Sequence, residues 1–361
     1  MKPTLSKLEE QSFYDDDFAE VPPPDIVAYN ELRSCADLFR MHEQGILQIQ
    51  PEFQRDIVWK GPDQTRFIDS LIKQLPIPSM CFALDHRAQK WLVIDGLQRI
   101  STIVRFLEGG DWKLSLLDDI EPEIAGKSVA AIRTSDTALH HYYTRVENLS
   151  VPVTVLRCDF KKKSHMEYLF TIFHRLNTGG MKLNNQEIMN CIHGGTFNNL
   201  LKELDKNRLW LRLNKMRPKQ TYRFTKQEIM LRFFAFTEKH KSYEGHLAKF
   251  LNTYMHANQN ASAATIEEKR VLFQQTVTHI ADAVFGGEAP PKLSITVLEA
   301  LLVGVGANVP KVLEQPASVA SQCYKELVKH PHFSETALRE GLSKKLRVIE
   351  RLDTAIKICA S

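Results

Sequence analysis

The sequence has no long apolar run, and this absence narrows the classes of protein that it can encode. No window approaches the roughly 18 apolar residues of a membrane span, and the longest apolar stretch, near residues 297–305, suits a buried helix. The first ten residues lack the apolar core of a secretory signal peptide. We therefore expect a cytoplasmic protein without a membrane partner.

Cysteine is scarce and scattered. The six cysteines, none of them close neighbours and none in a C-x-x-C pair, are Cys35, Cys81, Cys158, Cys191, Cys323 and Cys359. Zinc sites and disulfide frameworks are therefore not expected. The P-loop, H-E-x-x-H and G-x-S-x-G motifs are also missing. His140 and His141 could ligate a metal, but adjacent residues on one helix point apart, so we predict no metal site in the protein itself.

Charge is distributed unevenly along the 361 residues, although the net charge is only +4. Residues 1–30 hold seven acidic residues against two lysines. Residues 206–226 hold no acid and eight bases, which are Lys206, Arg208, Arg212, Lys215, Arg217, Lys219, Arg223 and Lys226. Interleaved with Trp210, Tyr222 and Phe224, these bases suit phosphate contacts and base stacking, so they form a candidate nucleic-acid-binding segment. The alternative is a solvated amphipathic stretch with Trp210 and Leu211 buried.

The pattern of apolar residues predicts an α+β chain in three parts. Residues 1–29, with Pro22 to Pro24, are typical of a flexible acidic arm, or alternatively of a docking segment anchored by aromatic residues. Residues 30–160 alternate between helix and strand, which predicts a small mixed-sheet α/β domain. Three capping boxes and no clear strand predict that residues 161–361 form an all-helical domain.

A strand-to-helix junction at Asp95 is the most informative feature. The pattern predicts a buried strand over Leu92 to Ile94, a turn at Asp95-Gly96, and then a helix that Gly109 ends. Arg99 in the first turn opposes the helix dipole, and a bound phosphate or carboxylate would explain its position. The alternative is a tight turn with an ordinary Asp–Arg ion pair.

Two further segments carry candidate residues. Gln50-Pro-Glu-Phe-Gln-Arg55 places a guanidinium in a loop, where it could reach a phosphate or form a surface ion pair. Phe173-His-Arg-Leu-Asn-Thr-Gly-Gly180 ends a helix at Asn177, and Thr178 and Gly179 can expose backbone N–H groups to a phosphate. The alternative for this second segment is a simple corner between two helices.

These three blocks, in this order, resemble the amino-terminal domain of GmrSD-type modification-dependent restriction systems. That domain carries an Asp-Gly-Gln-Gln-Arg motif and belongs with the ParB and sulfiredoxin-like folds. Here the motif reads Ile94-Asp-Gly-Leu-Gln-Arg-Ile-Ser-Thr-Ile103, and the resemblance covers roughly residues 30–205. It implies a nucleotide-binding, NTP-hydrolysing module that controls an antiphage or DNA-cleaving activity.

The resemblance assigns roles residue by residue. Asp95, Gln98 and Arg99 would be catalytic, with NTP and Mg²⁺ as the implied ligands. The implied nucleotide-binding positions are Arg55, Asp95, Gly96, Gln98, Arg99, Ser101, Thr102, Asn177, Thr178 and Gly179. Arg99 and Arg55 would neutralise phosphate charge, Asp95 would hold Mg²⁺ or orient a water, and Gln98 would position that water. Leu97 replaces the first Gln of the motif and can neither form a side-chain hydrogen bond nor orient a water, which predicts weak turnover.

Three functions follow as hypotheses. The first is a nucleotide-binding, NTP-hydrolysing regulatory module of a restriction or antiphage system. Members commonly carry a His-Asn-His nuclease domain, which this sequence does not show, so DNA, a separate nuclease subunit or further copies of the chain are expected partners. The second is a DNA- or partner-binding regulator with a non-hydrolysing pocket. The third is a degenerate nuclease.

Overall fold

The chain forms two compact units in a computed structural model. The structure describes residues 22–49, 59–176, 185–214, 225–291, 293–334, 337 and 342–361. The first unit spans Glu20–Leu183 and the second includes Asn184–Ser361. The predicted α+β class, a mixed sheet followed by a helical region, is confirmed. The sequence-based division at residue 160 differs from this grouping because the helix that follows it packs against the sheet.

A five-stranded sheet organises the first unit. Its strands are β1 Val27–Ser34, β2 Leu47–Gln48, β3 Met80–Asp85, β4 Lys90–Asp95 and β5 Ser150–Cys158. The order across the sheet is β1-β5-β3-β4-β2. β3 and β4 form an antiparallel hairpin, while β5 runs parallel to β3 and antiparallel to β1. The end of β4 lies beside the start of β3, while β5 and β1 continue past this point.

Five of the described helices share a core with one face of this sheet. Ser34 caps the first of them by accepting a hydrogen bond from the Asp37 N–H at 3.1 Å, and Pro62 lies at the start of the second. The helices of the first unit are α1 Cys35–Glu43, α2 Gly61–Ile72, α3 Leu97–Glu108, α4 Val129–Arg133, α5 His140–Asn148 and α6 Lys163–Leu176. Apolar side chains of α1 to α5 form one core with alternate residues of β3, β4 and β5. His140 and His141 hydrogen-bond to backbone carbonyls in this layer.

Strand β1 was not predicted, and its first residues overlap the proposed arm. The segment before it is held by Asp25, whose carboxylate accepts hydrogen bonds from Lys162 and from His165 Nε2, the latter at 2.9 Å. His165 is buried and its Nδ1 accepts the Asp159 backbone N–H at 3.0 Å, so Nε2 carries the proton. Asp25 therefore ties the start of the described chain to the start of α6.

Replacing Asp25 with asparagine is expected to lower the melting temperature at pH 7, and to lower it by a smaller amount at pH 3. The Lys162 ammonium, and then His165, hold the pKa of Asp25 well below its usual range. A depressed folded-state pKa contributes its full stability above the unfolded value of about 3.9; this contribution decreases as the pH falls below that value and disappears only below the folded-state pKa. Thermal melts of both proteins at the two pH values check this. Asp111→Asn, at another exposed aspartate, is the control; an equal Asp25→Asn effect at both pH values would contradict the assignment.

The described part of the second unit is helical, as predicted. Its helices are α7 Asn185–Ile192, α8 Thr196–Leu204, α9 Arg208–Leu213, α10 Thr225–Lys239, α11 Leu247–Asn258, α12 Ala263–His279, α13 Ile295–Gly306, α14 Val309–Val312, α15 Ala317–Lys329 and α16 Lys345–Ala360. Short 3₁₀ and π turns join some of them. Among the described residues, no helix is both long and apolar enough to cross a bilayer.

A disulfide in the second unit corrects one expectation. Cys323 of α15 and Cys359 of α16 are bonded, whereas the sequence analysis expected no disulfide. The two cysteines are 36 residues apart in sequence, but α15 and α16 pack against one another. Spacing along the chain does not report such tertiary neighbours. The four other cysteines are buried thiols, as expected for small apolar residues.

Candidate functional site

The junction between β4 and α3 lies where β4 ends beside the start of β3. Gly96 follows Asp95 with φ +92°, and an added Cβ would lie 2.5 Å from Met80 Cγ. A bulge offsets the β3–β4 pairing, so that Cys81 faces Asp95 while Phe82 faces Val93. Glycine is therefore required here both by the backbone angle and by the close approach of β3.

The N-terminus of α3 has free hydrogen-bonding capacity. Within the described chain no side chain caps this end, and the first intrahelical bond runs from the Ile100 N–H to the Gly96 carbonyl. Leu97, Gln98 and Arg99 supply the preceding N–H groups and are partly exposed. Such a helix start carries a partial positive charge and accepts anions.

Arg99 is fixed at this junction by three acceptors. Its Nη2 donates to Asp95 Oδ2 at 2.7 Å, and its Nη1 donates to the carbonyls of Pro78 and, at 3.5 Å, of Ser79. The Arg99 side chain is 14% exposed and that of Asp95 43% exposed. The ion pair named above as the alternative is thus present, and it explains how the fold holds a cation against the helix dipole.

The other motif residues take two different positions. Gln98 accepts the Trp59 backbone N–H at Oε1 (3.3 Å), so its side chain lies at the surface of the junction. Ser101 and Thr102 are buried, and the Thr102 hydroxyl donates to the Gln98 carbonyl at 2.7 Å inside α3. In this structure these two residues therefore belong to the buried side of α3. Arg55, Asn177, Thr178 and Gly179 lie outside the described residues.

A polar row crosses four strands on the sheet face opposite the helical core. The register places Asp95, Cys81, Thr154 and Asn30 side by side on β4, β3, β5 and β1. The Thr154 hydroxyl donates to Asn30 Oδ1 at 2.8 Å and lies 3.1 Å from the Ser79 hydroxyl. The sequence analysis missed Asn30, Ser79 and Thr154 because only strand register brings them to the motif.

Cys81 interrupts this row without adding a nucleophile. Its side chain is buried, and burial together with the neighbouring Asp95 carboxylate raises the pKa of the thiol to about 12. A thiol with such a pKa is protonated near neutral pH and unreactive. The chemistry available at the row is therefore hydrogen bonding by hydroxyl, amide and carboxylate groups.

The basic segment is only partly described. Lys206, Arg208 and Arg212 are exposed on and before α9, and Lys226 lines a cavity of about 210 Å³ beside Ser294. Lys215, Arg217, Lys219 and Arg223 lie outside the described residues. Trp210 is fully buried and packs edge-on against the ring of Phe273 at 5.6 Å. The described bases thus form a solvated face over a buried aromatic, and Trp210 is not available to stack on a base.

Comparison with known proteins finds a family similarity that covers most of the first unit and the first residues of the second. Residues 35–194 match the model for the N-terminal domain of the GmrSD restriction endonuclease. The predicted resemblance to this domain is confirmed over residues 35–194, and it suggests a component of a restriction or antiphage system. Searches of curated proteins and of solved structures found no match.

Proposed function

We propose that the first unit is the nucleotide-binding, slowly NTP-hydrolysing regulatory module of a restriction or antiphage system. The observation that carries the proposal is Arg99, a guanidinium held beside the uncapped N-terminus of α3, within the segment that matches the family. Charge-assisted hydrogen bonds from a guanidinium and from backbone N–H groups at one point suit a phosphate group. The proposal includes the ParB and sulfiredoxin-like fold that the sequence resemblance implies for this unit.

The ion pair between Asp95 and Arg99 can be exchanged for a contact between Arg99 and a phosphate. A phosphate oxygen can replace Asp95 Oδ2 as the acceptor of Arg99 Nη2, while the carbonyls of Pro78 and Ser79 keep Nη1 in place. The guanidinium then needs no large rearrangement, because its orientation is fixed before the ligand arrives. Because the Asp95 side chain is 43% exposed, the pair exchanges at the surface rather than in a closed interior.

Asp95 fits the metal that normally accompanies NTP. Mg²⁺ in nucleotide sites is held by one or two carboxylates, several waters and the phosphates themselves. Once released from Arg99, the Asp95 carboxylate can supply such a ligand. Bound Mg²⁺ would neutralise phosphate charge during phosphoryl transfer.

Turnover is expected to be slow for two reasons. Leu97 stands where the family motif has Gln and offers no polar group to a water. Gln98 Oε1 already accepts the Trp59 N–H, so this oxygen has only one lone pair left for an attacking water and is a weaker acceptor for it. Binding and hydrolysis are therefore separable properties of this site.

A thermal-shift panel tests the proposal. ATP, GTP, CTP and UTP, each with Mg²⁺, are added to the full chain, and phosphate release is measured in parallel. A ligand that binds only the folded protein raises the melting temperature by mass action, by an amount equivalent to about 2.7 kcal/mol at 100 times Kd. A rise with at least one NTP supports the proposal, and no rise with any of the four contradicts it.

A second candidate function, nucleic-acid binding by the helical unit, rests on the exposed bases of α9. Replacing Lys206, Arg208 and Arg212 with glutamate is expected to weaken DNA binding. The slope of log K against log salt concentration should also decrease in magnitude, by about 0.9 for each phosphate that the variant no longer neutralises. Fluorescence anisotropy on duplex DNA between 50 and 200 mM salt, roughly the range over which such slopes are measured, checks this. An unchanged slope would remove α9 from the interface; Arg157→Glu, at an exposed arginine of β5, is the control.

A further inference from the structure

The polar row extends away from the proposed phosphate site in the direction of the sheet edge. Neighbouring strands lie about 4.8 Å apart, so Asn30 on β1 lies about 14 Å from Asp95 on β4, three strand spacings away. This is the scale of an extended nucleotide rather than of a phosphate group alone. The row therefore supplies polar contacts where the rest of a bound nucleotide would lie.

The hydrogen-bond directions along the row leave groups for a ligand. The Thr154 hydroxyl donates its proton to Asn30 Oδ1, and the Ser79 hydroxyl is shared between Thr154 and the Met80 carbonyl. The Asn30 Nδ2 group donates to no other described residue, and Asn30 is exposed. Vicinal hydroxyls both donate and accept, so a ribose can accept from the amide and donate to the hydroxyl oxygens.

An apolar surface lies directly beside this row. Leu32 follows Asn30 by two residues on β1, points to the same face and is 71% exposed. It pairs with Pro152 of β5, which is partly exposed. The remaining residues of this face, such as Leu156, Ala83 and Leu92, are buried. A nucleoside has a flat base joined to a polar sugar. The two exposed apolar residues are complementary to the base, and the neighbouring hydroxyl and amide groups are complementary to the sugar.

Building on the nucleotide-binding function proposed above, we infer that Asn30, Thr154 and Ser79 bind the ribose of the NTP and that Leu32 and Pro152 seat its base. The substrate class is then a nucleoside triphosphate recognised along its length, with the phosphates at α3. A simpler role for Thr154 and Asn30 is to hold β1 on β5, since such cross-strand pairs stabilise sheets. The two roles differ in what a substitution changes: ligand affinity in the first and melting temperature alone in the second.

Calorimetry with two ligands tests the inference. The full chain and the variants Asn30→Ala and Leu32→Ser are titrated with the NTP that gives the largest thermal shift and with inorganic tripolyphosphate, both with Mg²⁺. Each variant is expected to bind NTP about 3- to 10-fold more weakly, the effect of removing one hydrogen bond or one apolar group from a ligand site, and tripolyphosphate as tightly as the wild type. Val27→Thr, on the same strand but the opposite face, is the control and should change neither affinity.

Each remaining outcome overturns the inference in a distinguishable way. Wild-type affinity for NTP in both variants, even with a lower melting temperature, assigns the row to sheet stability and leaves the proposed function intact. Equal decreases in affinity for NTP and tripolyphosphate mean that β1 acts on the phosphate site through the fold. A wild-type chain that binds neither ligand contradicts the proposed function and the inference together.

Discussion

Replacing Arg99 with alanine is expected to weaken binding of the Mg²⁺–NTP complex about a hundredfold, or about 2.7 kcal/mol. The guanidinium supplies the charge-assisted hydrogen bonds that the proposed phosphate contact depends on, and removing one partner of a hydrogen-bonded charge pair costs about 2–5 kcal/mol. Arg99→Lys keeps the charge but lacks the planar fork that spans Asp95 and the two carbonyls. We therefore expect an intermediate affinity for the lysine variant in calorimetric titrations.

The control for this variant is Arg105→Ala on the same helix. Arg105 donates to Gln64 Oε1 at 2.7 Å and lies 4.3 Å from the centre of the Trp112 ring, so its replacement also removes packing. Both alanine variants should melt below the wild type, but only the Arg99 variant should have a reduced nucleotide affinity. Equal affinity of Arg99→Ala and wild type would remove Arg99 from the site.

Replacing Gly96 with alanine is expected to lower the free energy of unfolding of the first unit by about 3 kcal/mol. A left-handed backbone costs a non-glycine residue about 1–2 kcal/mol, and the new methyl group would also lie 2.5 Å from Met80 Cγ. For a unit of about 160 residues this corresponds to a fall in melting temperature of about 6–12 °C. Circular dichroism melts measure the change.

The Gly110→Ala variant separates the backbone cost from the cost of the contact with Met80. Gly110 has φ +87° but no atom within 4 Å of an added Cβ, so only the backbone cost of about 1–2 kcal/mol applies. The Gly96 variant should therefore melt several degrees below the Gly110 variant. Similar melting temperatures for the two would mean that β3 moves away from the junction without cost, and that Met80 does not fix the loop.

The local elements of the first unit could be predicted because each has a local signal. Ser34, Pro62 and Gly109 mark helix ends, and the polar turn at residues 85–89 between two apolar runs marks the β3–β4 hairpin. Strand β1 has no such signal: Val27 to Asn30 are exposed, because β1 is an edge strand that pairs with β5 alone among the described strands. Its formation depends on pairing with a strand more than a hundred residues later.

The candidate site was predictable only in its local part. Asp95, Gly96 and Arg99 lie at a strand-to-helix junction that the sequence pattern indicates. The contacts of Arg99 with Pro78 and Ser79, and the row that continues to Asn30, depend on the order of strands in the sheet. A one-residue change of register would turn these side chains to the opposite face, and no pattern within a single segment reports that register.

The central claim is that the start of α3 binds the phosphates of an NTP. The most direct measurement is the change in backbone amide chemical shifts of a deuterated, ¹⁵N-labelled chain on titration with Mg²⁺ and a non-hydrolysable NTP analogue. We predict that the largest downfield shifts occur at Leu97, Gln98 and Arg99, because their N–H groups donate to phosphate oxygens. Saturable binding that leaves these three amides unshifted, or no binding at all, would contradict the account.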